Sequence, residues 1–332
     1  MTMGDIRALL SDYFGILEEG GTAKYKLCKD IPVSYNKSDN TEKLWKIHEK
    51  ALKKPKLSDV EPKESLLDLK AELASRIFHN CCFCERRCSV DRSIKTGECG
   101  VGKPIVSSEF LHIGEERVLV PSHTIFFSGC TFHCVFCQNW DISQLTSGLF
   151  VKPEKLVKII YKRNVQGGKN VNWVGGDPTP NLKYVLEVLK LCNYNIPQIW
   201  NSNMYCSIET MNLLDGIIDI YLTDFKYGND NCAKRLSKVE NYFEIVKRNH
   251  SLSYQNGDII IRHLVMPNHI KCCSKPVMSW IAENIPNSVV NVMAQYRPEY
   301  HAFDYKEISM HVSIEDVMEV RDYAYELGLH LI

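Results

Sequence analysis

Apolar side chains recur at helical spacing over the first eighty positions of this chain, then gather into short runs that alternate with further helical stretches. Ile6, Leu9, Leu10, Tyr13, Phe14 and Leu17 share one helical face, and Gly20 and Gly21 end that run. A polar stretch at 36–40 precedes a second run through Leu44, Ile47 and Leu52, which stops at Pro55. A third run carries Leu66, Leu67, Leu69, Leu73 and Ile77. From about residue 123 the pattern predicts strands at 124–128, 171–174, 198–200, 219–222, 259–266 and 289–293. It predicts helices between and after them, at 153–163, 181–192, 208–214, 239–247, 277–285 and 314–327. Six strand–helix units imply a parallel sheet with helices outside, an α/β chain forming a partial (β/α)6 barrel. The expected organisation is a helical extension over 1–78 that packs on the body as a cover, a Cys-rich segment over 79–122, and the partial barrel over 123–332.

Composition narrows the function classes. Lys plus Arg and Asp plus Glu are both 40, so the net charge is zero, which argues against a broad phosphate-neutralising surface for nucleic acid. No apolar run approaches ~18 residues, so no membrane span is expected. The first residues lack a basic stretch followed by an apolar one, the mark of a signal peptide. Fourteen cysteines without such a signal read as metal binding in a reducing cytoplasm rather than as disulfides.

The cysteines carry the chemistry. Cys130-Thr-Phe-His-Cys134-Val-Phe-Cys137 follows the first predicted strand directly. It therefore sits at the C-terminal end of the sheet, where barrels of this type place their active loops. Three clustered thiolates can hold an iron–sulfur cluster that usually takes four, which leaves one iron open to a ligand. A zinc loop is the blander alternative. Upstream, Cys81, Cys84, Cys88 and Cys99 have C-x2-C-x3-C-x10-C spacing with Cys82 spare. Four thiolates make a closed site, either structural zinc or a second cluster. Cys28, Cys192, Cys206 and Cys232 read as isolated small core residues. Adjacent Cys272 and Cys273 read as an ordinary loop.

The Cys130–Cys134–Cys137 motif, with Phe136 before its last cysteine, resembles the signature of radical S-adenosylmethionine enzymes. The strings around Gly129–Asn139, Asp219–Gly228 and Asn291–Pro298 resemble the pyruvate formate-lyase-activating-enzyme-like proteins. The resemblance runs over about two thirds of the chain and omits residues 1–78. It implies a [4Fe–4S] cluster on the three cysteines, whose open iron chelates S-adenosylmethionine and whose electron cleaves it to a 5′-deoxyadenosyl radical. By the same resemblance, Gly175 and Gly176 receive the cofactor's amino end, Lys226 its carboxylate and Asp224 its ribose hydroxyls. Asn201, Asn203 and Arg262 lie close by. Asp177 stands where the family usually has glutamate. The implied reaction is hydrogen abstraction by an oxygen-sensitive oxidoreductase, with a glycine of a partner enzyme as substrate and a ferredoxin or flavodoxin as reductant. Radical modification of a small molecule or of another macromolecule is the runner-up, and a non-catalytic metal-binding protein is the reading of another class. His263, one residue from Arg262, should face the opposite side and suits packing as well as ligation.

Overall fold

The computed structural model describes residues 3–58, 60 and 62–332. The extension folds into α1 (Met3–Leu9), α2 (Ser11–Glu18), α3 (Lys24–Asp30), α4 (Thr41–Lys53) and α5 (Leu66–His79). The first apolar run is thus divided at Leu10, and α3 is too short for its period to show in the sequence. Two polar residues fix where the long helices start. Asn40 accepts from the Lys43 amide, and Ser65 and Asp68 exchange side-chain and backbone hydrogen bonds in a capping box.

The body is one sheet in which β1 (Val106–His112), β2 (Ser122–Phe127), β3 (Val171–Gly175), β4 (Gln198–Ser202), β5 (Ile220–Asp224), β6 (Asp258–Leu264), β7 (Val289–Met293) and β8 (His330–Leu331) lie in sequence order. Pairing is parallel from β2 to β8, and β1 runs antiparallel to β2. The helices between strands are α6 (Trp140–Ser143), α7 (Pro153–Val165), α8 (Leu182–Leu191), α9 (Ile208–Leu214), α10 (Asp230–Ser237), α11 (Tyr242–Asn256), α12 (Lys275–Asn284) and α13 (Ile314–Glu326). Six strand–helix units run from β2 to α13, as the pattern implies. β1 lies within the segment expected to be only Cys-rich, and its alternation is too shallow to read as a strand. The helix expected at 239–247 begins later, at Tyr242, and runs on to Asn256 as α11; α10 precedes it as a further helix, and Lys238 and Asn241 take left-handed backbone between the two.

Strand alternation sorts the core into two. Trp200, Tyr221, Ile259, Ile261 and Val290 face the outer helices in the larger core. Ile199, Ile220, Leu222, Ile260 and Val289 face inward, where Ile6, Leu10 and Tyr13 of the extension meet them with Val118 and Leu119. The extension therefore does two jobs. α1 and its continuation fill the inside of the sheet near the strands' N-terminal ends, while α5 packs outside against α8. Further along the inward rows come Asn201, Asp224, Arg262 and Asn291. The same two-residue period that buries the plug aims these polar groups into the space above it.

Candidate active site

That space is a cavity of about 870 Å³, lined by Cys130, Cys134, Cys137, Gly175, Gly176, Asn201, Asn203, Asp224, Lys226 and Arg262. Met3 and Ile6 line it from below. The cysteine loop leaves β2 through Gly129, whose φ is +87° and where a Cβ would stand 2.8 Å from the Cys99 carbonyl oxygen. Polar groups meet each thiol. Phe132 N–H points at Cys130 Sγ (3.3 Å), Ser237 Oγ lies 2.9 Å from Cys134 Sγ, and Ser143 Oγ lies 3.1 Å from Cys137 Sγ. Burial, and then nearby charge, pushes the Cys130 thiol well up; burial and Cys137 push Cys134 to about 12. Three thiols from one loop that line one cavity are a donor set suited to an iron–sulfur cluster.

The glycine pair is set by packing as well as by access. A Cβ on Gly175 would stand 2.2 Å from the Phe127 carbonyl oxygen, and one on Gly176 would stand 2.2 Å from that of Gly129. Asp177 turns away from the cavity into the protein. Its carboxylate accepts from Thr179 N (2.9 Å), Ser202 Oγ (2.9 Å) and Asn203 N (3.0 Å). Asn203 in turn donates to Thr131 Oγ1 (2.9 Å) beside Cys130. Asp177 thus sits beneath the site, tying the ends of β3 and β4 to the cysteine loop.

Asp224, Lys226, Arg262 and Asn201 form one network. Lys226 Nζ donates to Asp224 Oδ2 at 2.7 Å, Arg262 Nε to Asp224 Oδ1 at 2.9 Å, and Arg262 Nη2 to Asn201 Oδ1 at 2.6 Å. Burial alone would raise the Asp224 carboxyl, but the charges of Arg262 and Lys226 outweigh it and hold it at about 2. His263 faces the other way and is buried, between the Phe225 carbonyl (2.7 Å) and Ser274 Oγ (2.8 Å), so it packs.

Glu115 and Glu116, on the β1–β2 connection, also line the cavity and escaped the sequence reading. Glu115 Oε2 lies 3.5 Å from Arg262 Nη1, and Glu116 Oε1 accepts from Asn291 Nδ2 at 3.0 Å. Burial and the neighbouring Glu115 raise the Glu116 carboxyl, whose second oxygen has no partner among the described residues. Two adjacent acids in a loop give no sequence signal that separates them from a solvated turn.

Cys81, Cys84, Cys88 and Cys99 surround a small cleft with Arg92 and Pro180, and Cys82 lies outside it. Their loop abuts the first cysteine loop. Arg86 Nε donates to the Thr131 carbonyl (2.7 Å), and the Cys99 carbonyl meets Gly129. The two sites, far apart in sequence, are neighbours in space.

The remaining cysteines divide. Cys28, Cys192 and Cys206 are buried, as small core residues should be. Cys232, Cys272 and Cys273 are neither isolated nor an ordinary loop. Their sulfurs and a His269 ring nitrogen all lie within 4.8 Å of one another. The helix carrying Cys232 was not legible, so nothing in the sequence placed it beside a turn forty residues on.

The Radical SAM superfamily profile matches residues 124–273. An uncharacterized protein of Methanocaldococcus jannaschii is 49% identical over 97% of this chain and 99% of its own length. The pyruvate formate-lyase-activating enzyme of Clostridium pasteurianum is 22% identical over 58% of this chain and 82% of its own. Among solved structures, methylornithine synthase (PylB) superposes with a TM-score of 0.48 at 14% identity, over 86% of this chain and 77% of that one. A superfamily profile that starts inside β2 and runs through the cysteine loop past the end of β6 spans most of the strands that line the cavity: residues 124–273 of this chain form a radical SAM domain.

Proposed function

We propose that this protein uses the cavity at the C-terminal ends of its strands to bind a [4Fe–4S] cluster on Cys130, Cys134 and Cys137 and S-adenosylmethionine beside it. The observation that carries this reading is convergence. Three thiols, a glycine pair and a charged network from five successive strand ends line one cavity of about 870 Å³. When bound, the cluster and cofactor supply a 5′-deoxyadenosyl radical by one-electron cleavage. The chain's own residues do the holding. Gly175 and Gly176 give backbone access for an amino group, and Lys226 offers a cation to a carboxylate. Asp224, kept ionised by Arg262 and Lys226, accepts from ribose hydroxyls. Asn201 and Asn203 fix Arg262 and the cysteine loop.

The substrate we propose is a glycine of a partner enzyme, with a ferredoxin- or flavodoxin-type carrier as reductant in a reducing cytoplasm. Distant similarity to pyruvate formate-lyase-activating enzymes supports it. So do the exposed apolar side chains that follow the cysteine loop, where Trp140 stacks on Tyr300 at 5.6 Å and Leu145, Leu149 and Phe150 are also exposed. One observation favours a polar small molecule instead: the unpartnered oxygen of Glu116 in the cavity. We further propose that Cys81, Cys84, Cys88 and Cys99 hold a second metal, zinc or an iron–sulfur cluster.

Anaerobic reconstitution with dithionite and S-adenosylmethionine should yield 5′-deoxyadenosine. Replacing Cys130, Cys134 and Cys137 with alanine should abolish both that product and the redox-active cluster signal. An unchanged iron content and spectrum in the triple variant would sink the assignment. Metal retained by that variant and lost on Cys84→Ala would belong to the second site.

A further inference from the structure

We propose that Cys232, His269, Cys272 and Cys273 form a third metal site, for one divalent, thiophilic, tetrahedral cation of the zinc class. His269 Nδ1 lies 3.6 Å from Cys232 Sγ, 3.4 Å from Cys272 Sγ and 3.7 Å from Cys273 Sγ. Cys272 Sγ lies 4.0 Å from Cys232 Sγ and 3.9 Å from Cys273 Sγ. A tetrahedral zinc with Zn–S of about 2.3 Å and Zn–N of about 2.0 Å requires donor separations of about 3.8 Å between sulfurs and about 3.5 Å from sulfur to nitrogen. The side chains already stand at those edges. A [4Fe–4S] cluster puts each donor on a separate iron and a [2Fe–2S] cluster divides the four between two irons, so either spreads the set further. Among the described residues this is the one group of three or more Cys, His, Asp or Glu donors mutually within 4.8 Å; the cysteines of the other two sites are not so tightly gathered.

The backbone is shaped around these donors. Residues Ile270–Ser274 form a widened turn in which Cys273 N and Ser274 N both donate to the His269 carbonyl (2.9 and 3.1 Å). Such turns mark functional positions often. Gly228 has no room for a Cβ, which would stand 2.8 Å from the carbonyl oxygens of both Cys272 and Cys273. Asn229 caps α10 by accepting from Cys232 N (2.9 Å), and its Nδ2 donates to the Cys272 carbonyl (2.8 Å) and points at Cys232 Sγ (3.4 Å). N–H groups aimed at sulfur are the outer support expected around metal thiolates. His269 Nε2 is buried without a partner among the described residues, so the ring's contacts are made through Nδ1.

The site joins the loop after β5 to the loop after β6. Its helix, α10, reaches the first cysteine loop at its other end. Ser237 meets Cys134 Sγ, and the carbonyls of Ser237 and Leu236 accept from His133 and Val135. A metal at Cys232 would therefore clasp the segment that carries Asp224 and Lys226 and brace the loop that carries Cys134.

The test is metal content of the full-length protein purified anaerobically. A Cys272→Ser/Cys273→Ser variant and a His269→Ala variant should each hold one zinc equivalent fewer than the parent by mass spectrometry, with iron unchanged. His269→Cys, which restores four donors, should retain that zinc. The unsubstituted protein decides the matter even if variants misfold. Cys272 is exposed, so iodoacetamide should label it slowly as purified and faster after zinc is chelated, read by peptide mass spectrometry. Equal zinc in parent and variants, or Cys272 labelling at one rate with and without chelator, overturns the proposal.

Discussion

Lys226 is the residue whose proposed role is most directly tested by one substitution. Its ammonium donates to Asp224 at 2.7 Å from a half-buried position in the cavity wall. Lys226→Ala should keep its cluster, because no thiol is touched. Affinity for S-adenosylmethionine should fall by the loss of one charge-assisted contact, about 1.5–3 kcal/mol. That is on the order of ten- to a hundredfold in an equilibrium titration; unchanged affinity would remove the role. Asp177 makes the opposite prediction. Its carboxylate holds Thr179, Ser202 and Asn203, and Asp177→Ala strands the two buried amides of Thr179 and Asn203, while Ser202 Oγ keeps Thr179 Oγ1 at 3.4 Å. At about 1–3 kcal/mol for each stranded group, partly relieved by relaxation, unfolding in urea should show a loss on the order of 3 kcal/mol. A stable Asp177→Ala protein with weaker cofactor binding would instead place Asp177 at the ligand. The sequence marked Asp177 by position in a loop, but which way a short side chain turns is fixed by partners on β4 that only folding supplies.

At the scale of elements, caps and apolar period did most of the work. α5 begins where Ser65 and Asp68 close their capping box and buries Leu66, Leu67, Leu69, Leu73, Ala74 and Ile77. Ser65→Ala should cost about 1 kcal/mol, within a range of about 0.5–2, read as a shifted urea midpoint with the cluster spectrum unchanged. No shift would mean that packing on α8 alone sets the helix start. Short and edge elements stayed hidden. α10 has only eight residues, three of them charged, and β1 alternates shallowly at the sheet's edge. Those pieces nonetheless carry Cys232 and lead into Glu115 and Glu116.

For the whole molecule, docking of the extension is tied to protons. Asp219 accepts from Lys24 N (2.9 Å) and Asp258 from Tyr13 N (2.8 Å). Burial raises both carboxyls, Asp219 to about 6 and Asp258 to about 7, with Lys24 pulling down and Asp12 pushing up. Unfolded, each titrates near 4. The folded chain therefore binds more protons between about pH 4 and pH 7. The stabilisation from these groups is complete below that window, is lost as pH rises through it, and is level above it. The midpoint of thermal unfolding should accordingly fall as pH rises from about 4 to about 7. Asp258→Asn should flatten that slope; an unaltered slope would assign it to other groups.

By itself the sequence determined the repeating strand–helix order, because a two-residue and a 3.6-residue apolar period are local properties of the chain. It also marked the Cys130–Cys137 motif, whose spacing lies within one loop. The tertiary structure decided what depends on separate segments meeting. Helices α1 and α2 enter the inside of the sheet rather than only covering it, and the Cys81–Cys99 loop lies against Gly129 and Thr131. The turn at 269–273 closes on Cys232. Such meetings are set by strand register and by the inward row on which a residue falls, and neither is carried by any single segment of the sequence.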